Sequence, residues 1–358
     1  MTRSILRRLS WLAAAIAVAA VAPGARAQDI SGEDRPLVVV SYGGPYQEAQ
    51  RQVYFEPFRK ASGIAMTDAA WDGGLAVLGD RMHSGAPRWD VVQVDGGELV
   101  RGCAEGLFVN LDWSRIGGQE RYLPEAVSPC GVGAIVYGLV LAYNRNKLPS
   151  PPQSWADFFD TQAFPGKRAL HMGPRTTLEI ALLGDGVAAA DVYTVLATPE
   201  GADRAFSKLD AIKDDLVFWS AAHQPTQFLA AGEVIMSSAY NTQIDAANRN
   251  DDGVLGMVWA GALNAIDWWV ILAGSAREAE AYRFIEFAGE GDNQARLPQL
   301  IAYGIPNRQA NAAADPQQRG HLPSAPENMK SAVMISEAFW QEHRDSLTER
   351  FNSWAAMK

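Results

Sequence analysis

Asp267 is followed directly by Trp268 and Trp269. A carboxylate beside indole rings is the equipment an ammonium group needs: one part neutralises its charge and the other offers a π face. Along an extended segment Asp267 and Trp269 share a side and Trp268 takes the other. Asp267 with Trp269 is therefore the expected cation partner, and the competing assignment is that both indoles are core. A second group prefers the opposite charge. In Gly173-Pro174-Arg175-Thr176-Thr177 an arginine fork and two hydroxyls stand at the start of an apolar helical stretch, where free backbone N–H groups and the helix dipole attract an anion. The competing assignment there pairs Arg175 with a nearby acid and makes Thr176 a cap. Asp95 ends a short apolar run ahead of Gly96 and Gly97, glycines that let backbone approach a ligand, or it caps the next helix.

Hydrolytic and nucleotide chemistry lack their usual residues. The chain has no Gly-x-Ser-x-Gly elbow, no Walker loop and no His-Glu-x-x-His motif, so an enzyme is not expected. His83, His171, His223, His321 and His343 are scattered without ligand spacing, and Cys103 and Cys130 have no histidine neighbours; no metal and no cofactor is implied. The formal charge is -10, which favours solubility and argues against nucleic acid, whose footprint is a basic patch.

The first residues read as a secretory leader. Arg3, Arg7 and Arg8 precede the apolar stretch Leu9 to Ala22, and Ala25-Arg26-Ala27 offers a signal-peptidase site after Ala27. The apolar stretch falls short of the ~20 residues a membrane-spanning helix takes, so a soluble, exported and most naturally periplasmic protein is expected. In such an oxidising compartment Cys103 and Cys130 are expected to pair, against two separate buried thiols. Loop entropy makes that bond worth roughly 3 to 4 kcal/mol.

The elements that must position these residues alternate between strand and helix. Leu37 to Ser41 is a β-branched run, Gly43-Gly44-Pro45 a turn, and Tyr46 to Ser62 an amphipathic helix. Trp89 to Val94, then Asp95-Gly96-Gly97, then a helix through Leu99 and Cys103 repeat the pattern. Such alternation predicts a mainly parallel sheet covered on both faces, with ligands beyond the carboxyl ends of its strands. Gly133 to Tyr143 and Asp267 to Ala273 are long enough and apolar enough to cross between two lobes, which the length of the chain already favours.

Several motifs, in order along the chain, carry a resemblance. Ser41-Tyr42-Gly43-Gly44, Trp89-Asp90 with Gly106-Leu107, Ser154-Trp155-Ala156-Asp157, Phe164-Pro165-Gly166-Lys167, Gly232 to Ser237 and Tyr303-Gly304-Ile305-Pro306-Asn307 together resemble the solute-binding proteins of polyamine-type ABC importers. The resemblance implies an α/β, two-lobe periplasmic-binding-protein fold of type II with crossover hinge strands. Lobe 1 would comprise residues 28–137 and 260–308, and lobe 2 residues 138–259 and 309–358. It further implies a monomer that closes on a small amine and delivers it to a membrane permease; a periplasmic sensor for a receptor would share the same cleft. Family positions add Tyr42, Tyr46, Trp219, Tyr240 and Tyr303 as ligand contacts, with Tyr46 alternatively helix-packing surface. One departure is informative: polyamine binders carry acids where this chain has Arg175 and Thr176. That points to a ligand with an amine at one end and a carboxylate at the other, such as γ-aminobutyrate.

Overall fold

The computed structural model describes residues 35–83, 88–250 and 253–357. The expected leader, residues 1–27, lies outside them. The strands are β1 (Leu37–Ser41), β2 (Met66–Ala70), β3 (Val91–Val94), β4 (Val132–Asn144), β5 (Arg168–His171), β6 (Leu216–Trp219), β7 (Met236–Tyr240), β8 (Leu255–Ile271) and β9 (Val333–Met334). They hydrogen-bond in the order β2-β1-β3-β8-β4-β7-β5-β6, with β9 added to β8. The short strands pair in parallel, β1 with β2 and β3, and β5 with β6 and β7. The two long ones run antiparallel to each other, β8 also to β3 and β4 also to β7, while β9 joins β8 in parallel.

Five helices concern the site: α1 (Gly44–Gln50), α2 (Gly96–Ala104), α3 (Thr177–Gly184), α4 (Glu278–Gly289) and α5 (Glu337–Ala356). Gly43, at φ 74, makes the turn from β1 into α1, a conformation that glycine adopts without a Cβ penalty. The amphipathic helix expected over 46–62 is present but widens into a π-helical turn at Arg51–Phe55. The crossing strand expected from Asp267 begins earlier, at Leu255, because residues 255–266 continue the antiparallel ladder with β4.

At about 3.3 Å per residue, the 13 residues of β4 and the 17 of β8 are far longer than a common strand, and each serves two apolar cores. One core takes Val132 to Val136 of β4 and Ile266 to Ile271 of β8, with β1, β3 and α4. The other takes Leu139 to Tyr143 of β4 and Leu255 and Leu263 of β8, with α3 and α5. Between them lie Tyr137 and Gly138, paired with Ala265 and Asn264, and it is beside this seam that the cleft opens. Cys103 of α2 is bonded to Cys130 just ahead of β4, tying the helix to the strand it packs against. Among the described residues no helix is long and apolar enough to cross a membrane.

Candidate ligand-binding cleft

Asp267 lies near the seam, where β8 passes from one core to the other. Its carboxylate is held by Gln93 of β3, which donates from Nε2 to Oδ2 at 3.3 Å. Gln93 is itself fixed, because its Oε1 accepts from Ser41 Oγ at 3.0 Å, Tyr46 OH at 3.1 Å and Gln50 Nε2 at 2.9 Å. A buried amide with three donors on one oxygen cannot rotate without losing all of them, so Asp267 is aimed by residues drawn from β1, α1 and β3. Burial pushes the Asp267 carboxyl well above its ordinary range, and the nearby charges of Asp95, Glu98 and Glu337 push it in the same direction. A cation brought to it would reverse that pressure.

Around Asp267 a cavity of about 380 Å³ is lined by Tyr42, Tyr137, Tyr240 and Tyr303, with Asp95, Glu98, Thr242 and Gln243 among the polar groups. Phenol rings on several sides suit the methylenes of a short chain and the charge of an amine. Asp95 has two roles at once: it lines the cavity and it caps α2, accepting from the Glu98 N–H at 2.7 Å while Glu98 Oε2 accepts from the Asp95 N–H at 3.0 Å. Glu98 also accepts from the Gly74 N–H and from Tyr42 OH. Burial raises its pKa as well.

Three of the residues expected at the site lie behind this wall. Tyr46 is buried, bound to Gln93 and set edge-on to Tyr303 with centroids 4.9 Å apart. Trp219 is buried with its Nε1 donating to Ser238 Oγ at 3.0 Å, and it packs edge-on against Tyr240. Trp269 shares the Asp267 side of β8 but sits two residues deeper, packed against Phe284 of α4 at 5.6 Å and 3% exposed. Tyr46 and Trp219 each back a wall tyrosine, whereas Trp269 packs into the core. Trp269→Ala is expected to destabilise the unliganded protein by about 3–5 kcal/mol while a saturating ligand still raises the melting temperature, as thermal unfolding with and without ligand would show.

Arg175 and Thr176 precede α3 and stand outside the lining of the cavity around Asp267. The Arg175 fork is engaged end-on by Glu337, the first residue of α5, with Nη1 to Oε2 at 2.8 Å and Nη2 to Oε1 at 2.6 Å. Arg175 remains partly exposed, its side chain 27% accessible against 13% for Glu337, and its charge is felt by Tyr137 and Tyr240 in the cavity wall. Thr176 does not cap α3 through its side chain. It holds a left-handed φ of 73, strained for a β-branched residue, and its buried Oγ1 has no hydrogen-bond partner.

Tyr137, Glu98 and Glu337 were not among the residues singled out in the sequence. Glu98 had a readable signal, since Asp95-x-x-Glu98 before an apolar run is a capping box. Tyr137 was hidden in an apolar strand, and only the topology makes it a wall residue. Nothing local marks Glu337, which reaches Arg175 over 162 positions. Among the described residues no group of three or more His, Cys, Asp or Glu is placed to hold a metal ion.

Residues 54–324 match the model of a family described as bacterial extracellular solute-binding protein. The chain is 42% identical to the γ-aminobutyric acid-binding protein of Pseudomonas aeruginosa over 353 residues, covering 98% of this chain and 97% of that one. Among solved structures, an ABC transporter substrate-binding protein from Bradyrhizobium japonicum is 33% identical with a TM-score of 0.80, covering 89% of this chain and 99% of its own. A GABA receptor, Atu4243, is 32% identical with a TM-score of 0.78, covering 90% and 98%. By their names these relatives bind solutes or serve ABC transporters.

Proposed function

From a chain that belongs to the bacterial extracellular solute-binding proteins and serves an ABC importer, we infer a specific cargo: an ω-amino acid of the γ-aminobutyrate type rather than a diamine. The observation that carries this is the opposition of charge around the cavity: Asp267, Asp95 and Glu98 line it, while the Arg175 cation acts on Tyr137 and Tyr240 of its wall. A diamine would meet a carboxylate at one end and a guanidinium at the other. An ω-amino acid meets the complement of each of its charges. The relative in Pseudomonas aeruginosa and the GABA receptor, by their names, bind this compound.

In this reading the ammonium binds Asp267, the three methylenes lie among Tyr42, Tyr137, Tyr240 and Tyr303, and the carboxylate reaches Arg175 and the Thr176 hydroxyl. Tyr46 and Trp219 keep the wall in place. We assign lobe 1 to residues 28–137 with 260–308 and lobe 2 to 138–259 with 309–358, so the ligand's contacts with both favour the closed state. The protein acts as a periplasmic monomer, freed of residues 1–27, and hands its cargo unaltered to a membrane permease.

Calorimetry and melting shifts with γ-aminobutyrate, putrescine, butyrate and butylamine test the assignment. γ-Aminobutyrate should bind tightly, and the two compounds that each lack one charge should bind weakly or not at all. A larger shift with putrescine would replace the amino-acid reading with the diamine one.

A further inference from the structure

The fork that should receive the ligand's carboxylate already holds one. We propose that Glu337 is a specificity-determining residue: a resident carboxylate that every anionic ligand must displace from Arg175, so that only a ligand whose amine simultaneously engages Asp267 wins the exchange. The inference rests on the ω-amino-acid reading and deepens it.

Three observations converge on Glu337. Its carboxylate matches the ligand's in chemistry and takes the end-on bidentate geometry, both guanidinium nitrogens bound at 2.8 and 2.6 Å. Bidentate recognition is what selects a carboxylate at an arginine, so a second carboxylate and Glu337 compete for the same edge. Next, Glu337 comes from α5 in the second core but lies on α2 of the first: a Cβ built on Gly96 would meet its Cγ at 2.7 Å, and one on Gly97 would stand 3.5 Å from its Oε2. The absence of a side chain at Gly96 is what admits it; a Cβ at Gly97 would make only ordinary contact with it. Finally, a displaced Glu337 has somewhere to go. It borders a second chamber of about 510 Å³, lined also by Asp95, Gly97, Arg101, Gln341 and Arg344, and Arg344 Nη2 approaches to 3.9 Å of the same Gly97 position. The chamber's cations, Arg101 and Arg344, can receive a carboxylate, while Asp95, Glu98 and Asp345 in the same lining oppose it and favour its return to Arg175 once the ligand leaves.

The consequence is a threshold. A plain carboxylic acid would trade one carboxylate for another at Arg175 and gain almost nothing. An ω-amino acid adds the neutralisation of Asp267, whose ionised form is otherwise penalised by burial and by three acidic neighbours, Glu337 among them. Displacing Glu337 also moves one of those charges away.

The test uses the mature protein and Glu337→Gln, which keeps shape and removes charge, with butyrate and γ-aminobutyrate as probes. Wild type should bind γ-aminobutyrate and ignore butyrate. In E337Q γ-aminobutyrate should bind about tenfold more tightly and butyrate should become measurable, with putrescine binding no tighter than in wild type. Weaker or unchanged γ-aminobutyrate binding in E337Q, with butyrate still silent, would overturn the proposal and make Glu337 a support for the arginine. Should E337Q fold poorly by circular dichroism, a crystal structure of the wild-type complex decides: Arg175 on the ligand with Glu337 withdrawn is the expected arrangement, and Glu337 still end-on overturns it. A wild type that binds no ω-amino acid would remove the parent reading, and this one with it.

Discussion

Asp267→Asn is expected to make the unliganded protein more stable and to leave it nearly blind to its ligand. Burial and the charges of Asp95, Glu98 and Glu337 disfavour the ionised carboxyl, so the folded protein holds the Asp267 proton more strongly than the unfolded chain does. A raised folded pKa of this kind gives stability that is complete below the ordinary carboxylate pKa and is lost as pH rises through the raised one. Above it, folding must bury the charge. Asparagine keeps the acceptor for Gln93 and removes that charge, a gain of about 0.5–2 kcal/mol. Stripping a carboxylate from a buried ammonium costs about 2–5 kcal/mol, at least roughly a thirtyfold loss of affinity. A thermal melt with and without γ-aminobutyrate reads both effects at once. The same linkage gives a pH signature, because the ammonium binds the ionised carboxyl: wild-type affinity should weaken as pH falls through the raised Asp267 pKa and binding should release a proton. An unliganded melt lowered by the substitution, with the ligand shift intact, would make Asp267 a structural residue.

Arg175→Met is expected to turn the selectivity of the cleft around. Removing the guanidinium takes away the anchor for the ligand's carboxylate and also leaves Glu337 without its partner. The far end of the cleft would change from a neutralised pair to a carboxylate, in addition to Asp95, Glu98 and Asp267. Affinity for γ-aminobutyrate should fall by about a hundredfold or more, in line with truncation of a desolvated charge pair. Putrescine, whose second ammonium now finds Glu337, should gain by about tenfold. Methionine keeps the methylene volume, so the stability loss should stay near 1–2 kcal/mol for a half-buried pair. Competition calorimetry with the two ligands measures the inversion. Equal loss of both would mean that Arg175 shapes the cleft without facing the cargo.

Much of this architecture could be read from residue patterns, and the reasons are physical. β1 and β3 are short β-branched runs followed by glycine turns, and β4 is a continuous apolar stretch; burial on both faces of a sheet demands such compositions. Asp267 stood out because a carboxylate beside two indoles is what an ammonium group needs. What periodicity could not give is depth. Trp269 and Asp267 share a side of one strand, yet only Asp267 reaches the cavity, because Phe284 arrives from α4 to cover the indole. Tyr46 and Trp219 likewise proved to be supports, since Gln93 and Ser238 claim their polar ends. Glu337 was invisible for a different reason: its partner, Arg175, lies far away in the chain, and an exposed-looking glutamate at a helix start is what any N-terminus prefers.

The strands β4 and β8 run through both cores and bond to each other along nearly their whole length, with the ladder slipping between Gly133 and Ile135 and again between Leu139 and Leu141. A ribbon with two such slips on either side of Tyr137 has its softest point at the seam. Asp267 rides on that ribbon. If Asp267 binds the ligand's ammonium as proposed, the charge detector sits on the ribbon that joins the two cores, so a swing of one half against the other would twist the backbone that carries the carboxylate and couple the arrival of a cation to that rotation.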